Sequence, residues 1–187
     1  MHQALHNELS DEEVIERLQL GASNRYFEVV YHRYHQRVFD KCYGLVKNRE
    51  LAKELTEDIF SKVFEKLPTF KQKSSFSTWL YSITYNHCID YLRDKRKLHY
   101  PSWNSEQEMN NIPEEEEQLG DINYENLLKV MELIHPEEKA LLLMKYMDNL
   151  SLKQISKSLR ISENATKMRL KRARTRLLYI YEQQHSS

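Results

Sequence analysis

Apolar residues recur along most of this chain at steps of three and four, the spacing that lines one face of an α-helix. The first such run opens on a capping box, Ser10 with Glu13, and predicts a helix through about Leu20, where Gly21-Ala-Ser-Asn breaks it. A second helix is expected from about Arg25 to Lys47, with Phe27, Val30, Tyr31, Tyr34, Val38 and Cys42 on its inner side. A third, from about Leu51 to Leu67, sets Leu55, Ile59, Phe60, Val63, Phe64 and Leu67 on one stripe and ends at Pro68. Lys71 to Ser75 reads as a polar, basic loop. A fourth helix follows from about Phe76 to Lys97, with Leu80, Ile83, Ile89 and Leu92 among its buried positions.

The pattern then collapses. SWNSEQEMNNIPEEEEQLGD is polar and acidic and holds Pro113 and Gly120, so it reads as a linker, flexible or only partly ordered. Helical periodicity returns over Tyr124 to Ile134, Pro136 to Met147, Leu152 to Leu159, and Glu163 to about Glu182. Pro136 suits a first-turn position. No strand pattern or internal repeat emerges. The expected fold is all-α: a domain at 1–97, an acidic linker at 98–122, and a second small helical domain at 123–187.

Within the second domain, SLKQISKSLRISENATKMRLKRARTRL has the form of a helix-turn-helix. Ser151 and Gln154 make a capping box, Leu152, Ile155 and Leu159 a short apolar stripe, and Arg160-Ile161 a tight connection. Ser162 is the expected N-cap of the next helix. On that helix Thr166, Leu170, Ala173 and Leu177 fall at steps of four, three and four, which makes them the buried face. Lys167, Met168, Lys171 and Arg172 stand opposite, with Arg169, Arg174 and Arg176 on the flanks. Cations so placed reach guanine edges or phosphates when the helix enters a major groove.

Charge sharpens this picture. The formal net charge is zero, from 28 basic and 28 acidic residues. Yet Glu106 to Glu125 holds eight acids and no base, while Ser151 to Arg176 holds nine bases and one acid, Glu163. Such segregation fits a polyanion-binding module joined to an acidic segment. Scarce glycine (3) and proline (4) favour helices. A mean hydropathy of −0.76, no apolar run of membrane-spanning length and no secretory signal pattern predict a soluble, cytoplasmic chain. Cys42 and Cys88 are expected as small core residues, not a disulfide. Of the eight histidines only His32 and His35 pair closely, too few ligands for a metal site, and no cofactor is implied.

At this point the motifs resemble a known family. FSTWLYSITYNHCIDYLR, with Trp79, Leu80, Ile83, Asn86, Asp90 and Arg93 at this spacing, is similar to region 2 of the extracytoplasmic-function (ECF) sigma factors of the bacterial sigma-70 family. ELAKELTEDIFSKVFEKLPTF is similar to that family's polymerase-binding helix. The K-x-R-L-x-R-A-R-x-R-L run from Lys167 to Leu177 is similar to its region 4. The resemblance covers about Val14 to Tyr181, interrupted by the linker.

It implies a non-enzymatic subunit that binds core RNA polymerase, through its beta and beta-prime subunits, and directs initiation at promoter DNA. Glu54, Leu55, Glu57, Asp58, Phe60, Ser61 and Lys62 match the surface that docks on the polymerase clamp. Phe70, Lys73, Ser75, Phe76, Trp79, Asn86, Arg93 and Arg96 match the reader of the melted −10 strand, where a base is flipped out. Independently of the family, single-stranded bases need aromatic stacking partners and amides, and their phosphates need cations. Phe76, Trp79, Tyr81 and Tyr85 are expected to offer that aromatic surface, with Trp79 equally suited to the core. Lys167, Met168, Arg169, Lys171 and Arg172 match the −35-contacting positions. An anti-sigma factor that masks the polymerase-binding face is the regulator the resemblance implies.

The chain departs from the pattern at four places: Arg160 where glycine is common, Met168 for a small polar residue, Glu57 for a frequent glutamine, and Thr84 for alanine. A stand-alone helix-turn-helix regulator is the alternative reading. No dimerisation element follows the helix-turn-helix, and the first domain has no evident ligand pocket. A nuclease built on Glu57 and Asp58 is disfavoured, because adjacent carboxylates on a helix point about 100° apart and share a metal poorly.

Overall fold

The computed structural model describes residues 9–21, 25–95 and 123–185. Arg96 and the acidic linker at 98–122 lie outside the described residues. The chain divides into two compact units, Met1–Asp94 and Lys95–Ser187. No strand occurs among the described residues.

In the first unit α1 (Asp11–Gln19), α2 (Arg25–Val46), α3 (Arg49–Lys66) and α4 (Phe76–Lys95) follow one another, with a 3₁₀ turn at Leu67–Thr69. The Ser10 capping box forms as expected, its hydroxyl accepting from Glu13 N–H while the Glu13 carboxylate accepts from Ser10 N–H at 2.7 Å. The α3 helix starts earlier than its apolar stripe predicts, because Asn48 caps it: its Oδ1 accepts from Leu51 N–H at 2.9 Å. Val14, Ile15, Val30, Tyr34, Val38, Cys42, Leu55, Ile59, Val63, Leu80, Ile89 and Leu92 bury into one core. Thr84 takes the interior place where alanine is usual by donating its hydroxyl to Leu80 C=O. Four expected core positions stand further out: Phe27, Tyr31 and Ile83 are half-buried and Phe64 is exposed.

α1 is bolted on by polar contacts. Arg33 donates to Asp11 Oδ1 at 2.7 Å and to Leu9 C=O, and the Tyr34 hydroxyl donates to Asp11 Oδ2. At its other end the Gln19 amide donates to Leu67 C=O at 3.0 Å and Phe70 C=O at 2.7 Å. These two bonds tie α1 to the segment that leads into the 70–76 loop.

The second unit holds α5 (Tyr124–Met131), α6 (Pro136–Leu142), α7 (Leu152–Leu159) and α8 (Glu163–His185). Met147 ends not an α-helix but a π-turn, Leu143–Met147, in which Asp148 N–H donates to Leu143 C=O. α7 is capped by Ser151 and Gln154 as expected. Ser162 caps α8, accepting from Ala165 N–H at 3.1 Å. Thr166, Leu170, Ala173 and Leu177 are the buried face of α8, packed on α5, α6 and α7.

Candidate functional site

Three surfaces emerge, two on the first unit and one on the second. On α3 the apolar stripe faces inward, so Glu54, Glu57, Asp58 and Ser61 stand outward with Phe64. Leu55 (1% exposed) and Phe60 (3%) are core residues: their place on the stripe turns them away from any partner, and their contribution to docking is to hold the helix. Two of these acids meet groups on neighbouring helices. The Tyr31 hydroxyl donates to Glu57 Oε1 at 2.8 Å, and His35 Nε2 lies 3.5 Å from the same oxygen. Burial, then the Glu57 hydrogen bond and charge, push the Tyr31 phenol up to about 12, so it stays a donor.

Beside it, Lys62 Nζ lies 2.7 Å from His87 Nδ1. An ammonium only donates, so Nδ1 is the acceptor and the imidazole proton sits on Nε2, which faces Asp58 Oδ2 at 3.7 Å. Burial and the Lys62 charge hold His87 below the ordinary histidine value, against the pull of Asp58. Phe64 packs edge-on against Phe27 at 4.9 Å, which keeps an apolar ring beside these acids. The acids on this helix were legible in the sequence; their partners Tyr31, His35 and His87, distant in sequence, were not.

The second surface is the 70–76 loop with the start of α4. Phe70, Ser75 and Phe76 line one cavity of about 300 Å³ together with Glu12, Ile15, Gln72 and Ser74. Phe70 (8% exposed) and Phe76 (3%) form its floor and are not the free aromatic surface expected of Phe76; Tyr85 is fully buried in the core. Trp79 is half-buried, its ring 4.8 Å from Phe70. Tyr81 lies under Lys41, whose Nζ is 4.2 Å from the ring centroid. Ser75 is the N-cap of α4: its hydroxyl accepts from Thr78 N–H at 3.2 Å and meets the hydroxyls of Ser77 and Thr78. Its first task is therefore to start the helix.

Lys73 is exposed on the loop. Asn86 and Arg93 do not reach the cavity; with Trp79 they repeat every seven residues, forming one stripe along α4. Arg93 Nη1 is 3.9 Å from Asp90. Arg96 lies outside the described residues. Glu12 and Gln19, on a helix whose sequence signals only a cap and a core stripe, are the participants that sequence reasoning missed.

The third surface is the outer side of α8. Lys167 and Met168 are exposed, Lys171 and Arg172 half-buried. Asn164, exposed one turn earlier, shares this side, and being uncharged it carries no signal in the charge pattern. Arg169 corrects an expectation. It turns inward, its Nη1 3.4 Å from the carboxylate of buried Glu137, while Arg176 reaches buried Glu138 at 3.3 Å. These two acids open α6, where the helix dipole favours negative charge. Burial still raises the Glu138 carboxyl above its usual value, although Arg176 opposes this.

Among the described residues no group of three or more acidic, histidine or cysteine side chains is placed to hold a metal ion, and no helix is long and apolar enough to cross a membrane.

Residues 30–98 match the family model for sigma-70 region 2, and residues 124–177 that for sigma-70 region 4, together more than half of the chain. The ECF RNA polymerase sigma factor SigX of Bacillus subtilis is 23% identical over 151 residues, covering 75% of this chain and 76% of the relative. SigW from the same organism is 25% identical over 156 residues, covering 77% and 82%. Among solved structures, the fold is similar to CnrH in complex with the cytosolic domain of CnrY, with TM-score 0.59, 14% identity, and 90% and 96% of the two chains covered. It is similar also to RpoE in complex with the anti-sigma factor NepR from Bartonella quintana, with TM-score 0.56, 16% identity and 83% and 96% covered.

Proposed function

The chain belongs to the sigma-70 family, as a sigma factor of the ECF type that directs promoter-specific initiation by RNA polymerase, and we propose how its surfaces divide that task. The outward face of α3, with Glu54, Glu57, Asp58, Ser61 and Lys62, docks on the core polymerase. The observation that carries this reading is the set of fixed acids beside an exposed ring: Glu57 held by Tyr31 and His35, Asp58 faced by His87, and Phe64 standing next to them. Preset charges orient an encounter, and a ring supplies the apolar anchor.

The cavity of the 70–76 loop takes one unstacked base of the −10 strand, with Lys73 near its backbone and the Trp79–Asn86–Arg93 stripe following the strand along α4; Arg96 is a further cation for its phosphates. On the duplex −35 element, α8 presents Lys167, Met168, Lys171 and Arg172, with Asn164 one turn before them. Residues 1–97 and 123–187 form the two working domains, and the acidic segment 98–122 connects them. The protein works in the cytoplasm, where polymerase and promoter meet. The α3 face is also the surface that an anti-sigma factor covers to hold the protein inactive.

Capture of core RNA polymerase by the purified chain tests the α3 reading. Asp58 is exposed, so Asp58→Arg leaves the fold intact while reversing the charge. Capture should fall at least tenfold in the variant. Equal capture by both proteins would remove α3 as the docking face, and no capture by either would remove the polymerase-docking reading altogether.

A further inference from the structure

The first turn of α1 carries three consecutive acids, Asp11, Glu12 and Glu13. Two of them are spent on structure. Asp11 receives Arg33 and the Tyr34 hydroxyl, locking α1 onto α2. Glu13 closes the capping box on Ser10 N–H, and that bond, with the Ser10 hydroxyl, holds its carboxyl below the usual range. Glu12 makes neither kind of contact. Its carboxylate has no hydrogen bond or ion pair among the described residues, and it stands on the wall of the 300 Å³ cavity opposite the loop residues Gln72, Ser74 and Ser75. The residues matched by the region 2 model begin at 30, so α1 lies ahead of them.

A free carboxylate is out of place at the mouth of a nucleic-acid site. Lys71 and Lys73 on the adjoining loop attract phosphates, and Glu12 repels them. Its presence therefore works against affinity, and what a carboxylate offers in exchange is selectivity: it accepts from N–H groups and rejects carbonyl oxygens. Among the bases, cytosine, adenine and guanine carry an exocyclic amine, whereas thymine presents two carbonyl oxygens flanking a single N–H. The cavity is at the lower limit of small-molecule sites in volume, with an aromatic floor from Phe70 and Phe76 and polar walls, as a single base requires. The Gln19 amide, bonded to Leu67 C=O and Phe70 C=O, holds α1 at a set distance from the loop.

We propose that Glu12 is a specificity-determining residue of the −10 pocket, accepting from the exocyclic amine of the captured base and excluding thymine at that one position. The inference rests on the −10 reading of the cavity given above. Discrimination arises because, in the place where cytosine or adenine sets its exocyclic amine, thymine sets a carbonyl oxygen against the carboxylate, leaving those two acceptors without a proton between them.

The test is a promoter library randomised over the −10 element, transcribed by holoenzyme made from the full chain and core polymerase, with the transcripts sequenced. Wild type should disfavour thymine at one position by about tenfold, the discrimination one good base-edge contact supplies. Glu12→Gln, whose amide can donate to a carbonyl, should abolish that bias at that position and leave every other position unchanged; Glu12→Ala should weaken it without creating a new preference. Glu12 is exposed, so neither substitution threatens folding. An unchanged base preference in both variants, or a gain in output that is equal for all sequences, would overturn the role of Glu12 while leaving the pocket standing. A wild-type holoenzyme that opens no promoter in the library would overturn the −10 reading, and this inference with it.

Discussion

Arg160 sits between the two helices of the helix-turn-helix at φ 55°, ψ 43°, in the left-handed region where a β-carbon crowds the following carbonyl. The turn is nevertheless well closed: Arg160 N–H and Ile161 N–H both donate to Ser156 C=O, the latter at 3.0 Å, as in a glycine-terminated helix. Arginine thus performs a glycine's task at a conformational cost. Replacing it by glycine removes a strain of about 1–2 kcal/mol and restores some unfolded-state entropy. Arg160→Gly should therefore stabilise the second unit by roughly 0.5–1 kcal/mol, read as a higher denaturant midpoint of the full chain at unchanged slope. This site was legible in the sequence, since a basic residue stood where the resemblance implied glycine. The directions of single side chains were less so. Leu55, Phe60 and Phe76 belong to motifs matched as contact surfaces, yet the periodicity that builds those motifs sends the same residues into the core. A motif marks which segment works, and burial decides which of its atoms can touch a partner.

At the scale of elements, the junction of α6 and α8 was the least legible part of the fold. Helical period assigns Glu137 and Glu138 to an ordinary acidic first turn, and nothing local reveals that they are 2% and 0% exposed. They are buried because α8 crosses over them and supplies Arg169 and Arg176, residues 32 and 38 positions away. Breaking such a pair leaves an uncompensated charge inside, so Arg176→Ala should destabilise the second unit by about 3 kcal/mol. Glu138→Gln should cost much less, because it removes the buried charge itself. Since burial raises the Glu138 carboxyl, the folded state holds this proton more tightly than the unfolded state does. The associated stability is complete below the ordinary glutamate value and is lost as pH rises through the elevated one. Relative to wild type, Glu138→Gln should then gain ground as pH increases from about 4 to 7, measured by denaturant titration across that range. A parallel pair of stability curves would mean that Arg176 fully restores the carboxylate's ordinary acidity.

Across the whole molecule, a net charge of zero conceals a dense run of nine basic residues between Ser151 and Arg176, and the structure reduces how many of those cations a nucleic acid can use. Of the nine bases between Ser151 and Arg176, Arg169 and Arg176 already face the carboxylates of Glu137 and Glu138. Lys167 and Lys171 lie on the outer side of α8 instead. Counting positive residues in the sequence therefore overstates the electrostatic footprint, and salt dependence is the measurement that separates the two kinds of cation. Removing a cation that neutralises one phosphate should flatten the plot of log affinity against log salt by about 0.9. For holoenzyme on a duplex carrying the −35 element, Lys171→Gln should reduce that slope by about one. Arg169→Gln should leave the slope nearly unchanged while lowering the stability of the second unit, because its charge is committed to Glu137. If both substitutions flattened the slope equally, Arg169 would have to exchange Glu137 for a phosphate on binding. The acid left behind in the core would then set the free energy of that exchange, making DNA affinity and the stability of α6 two readings of one ion pair.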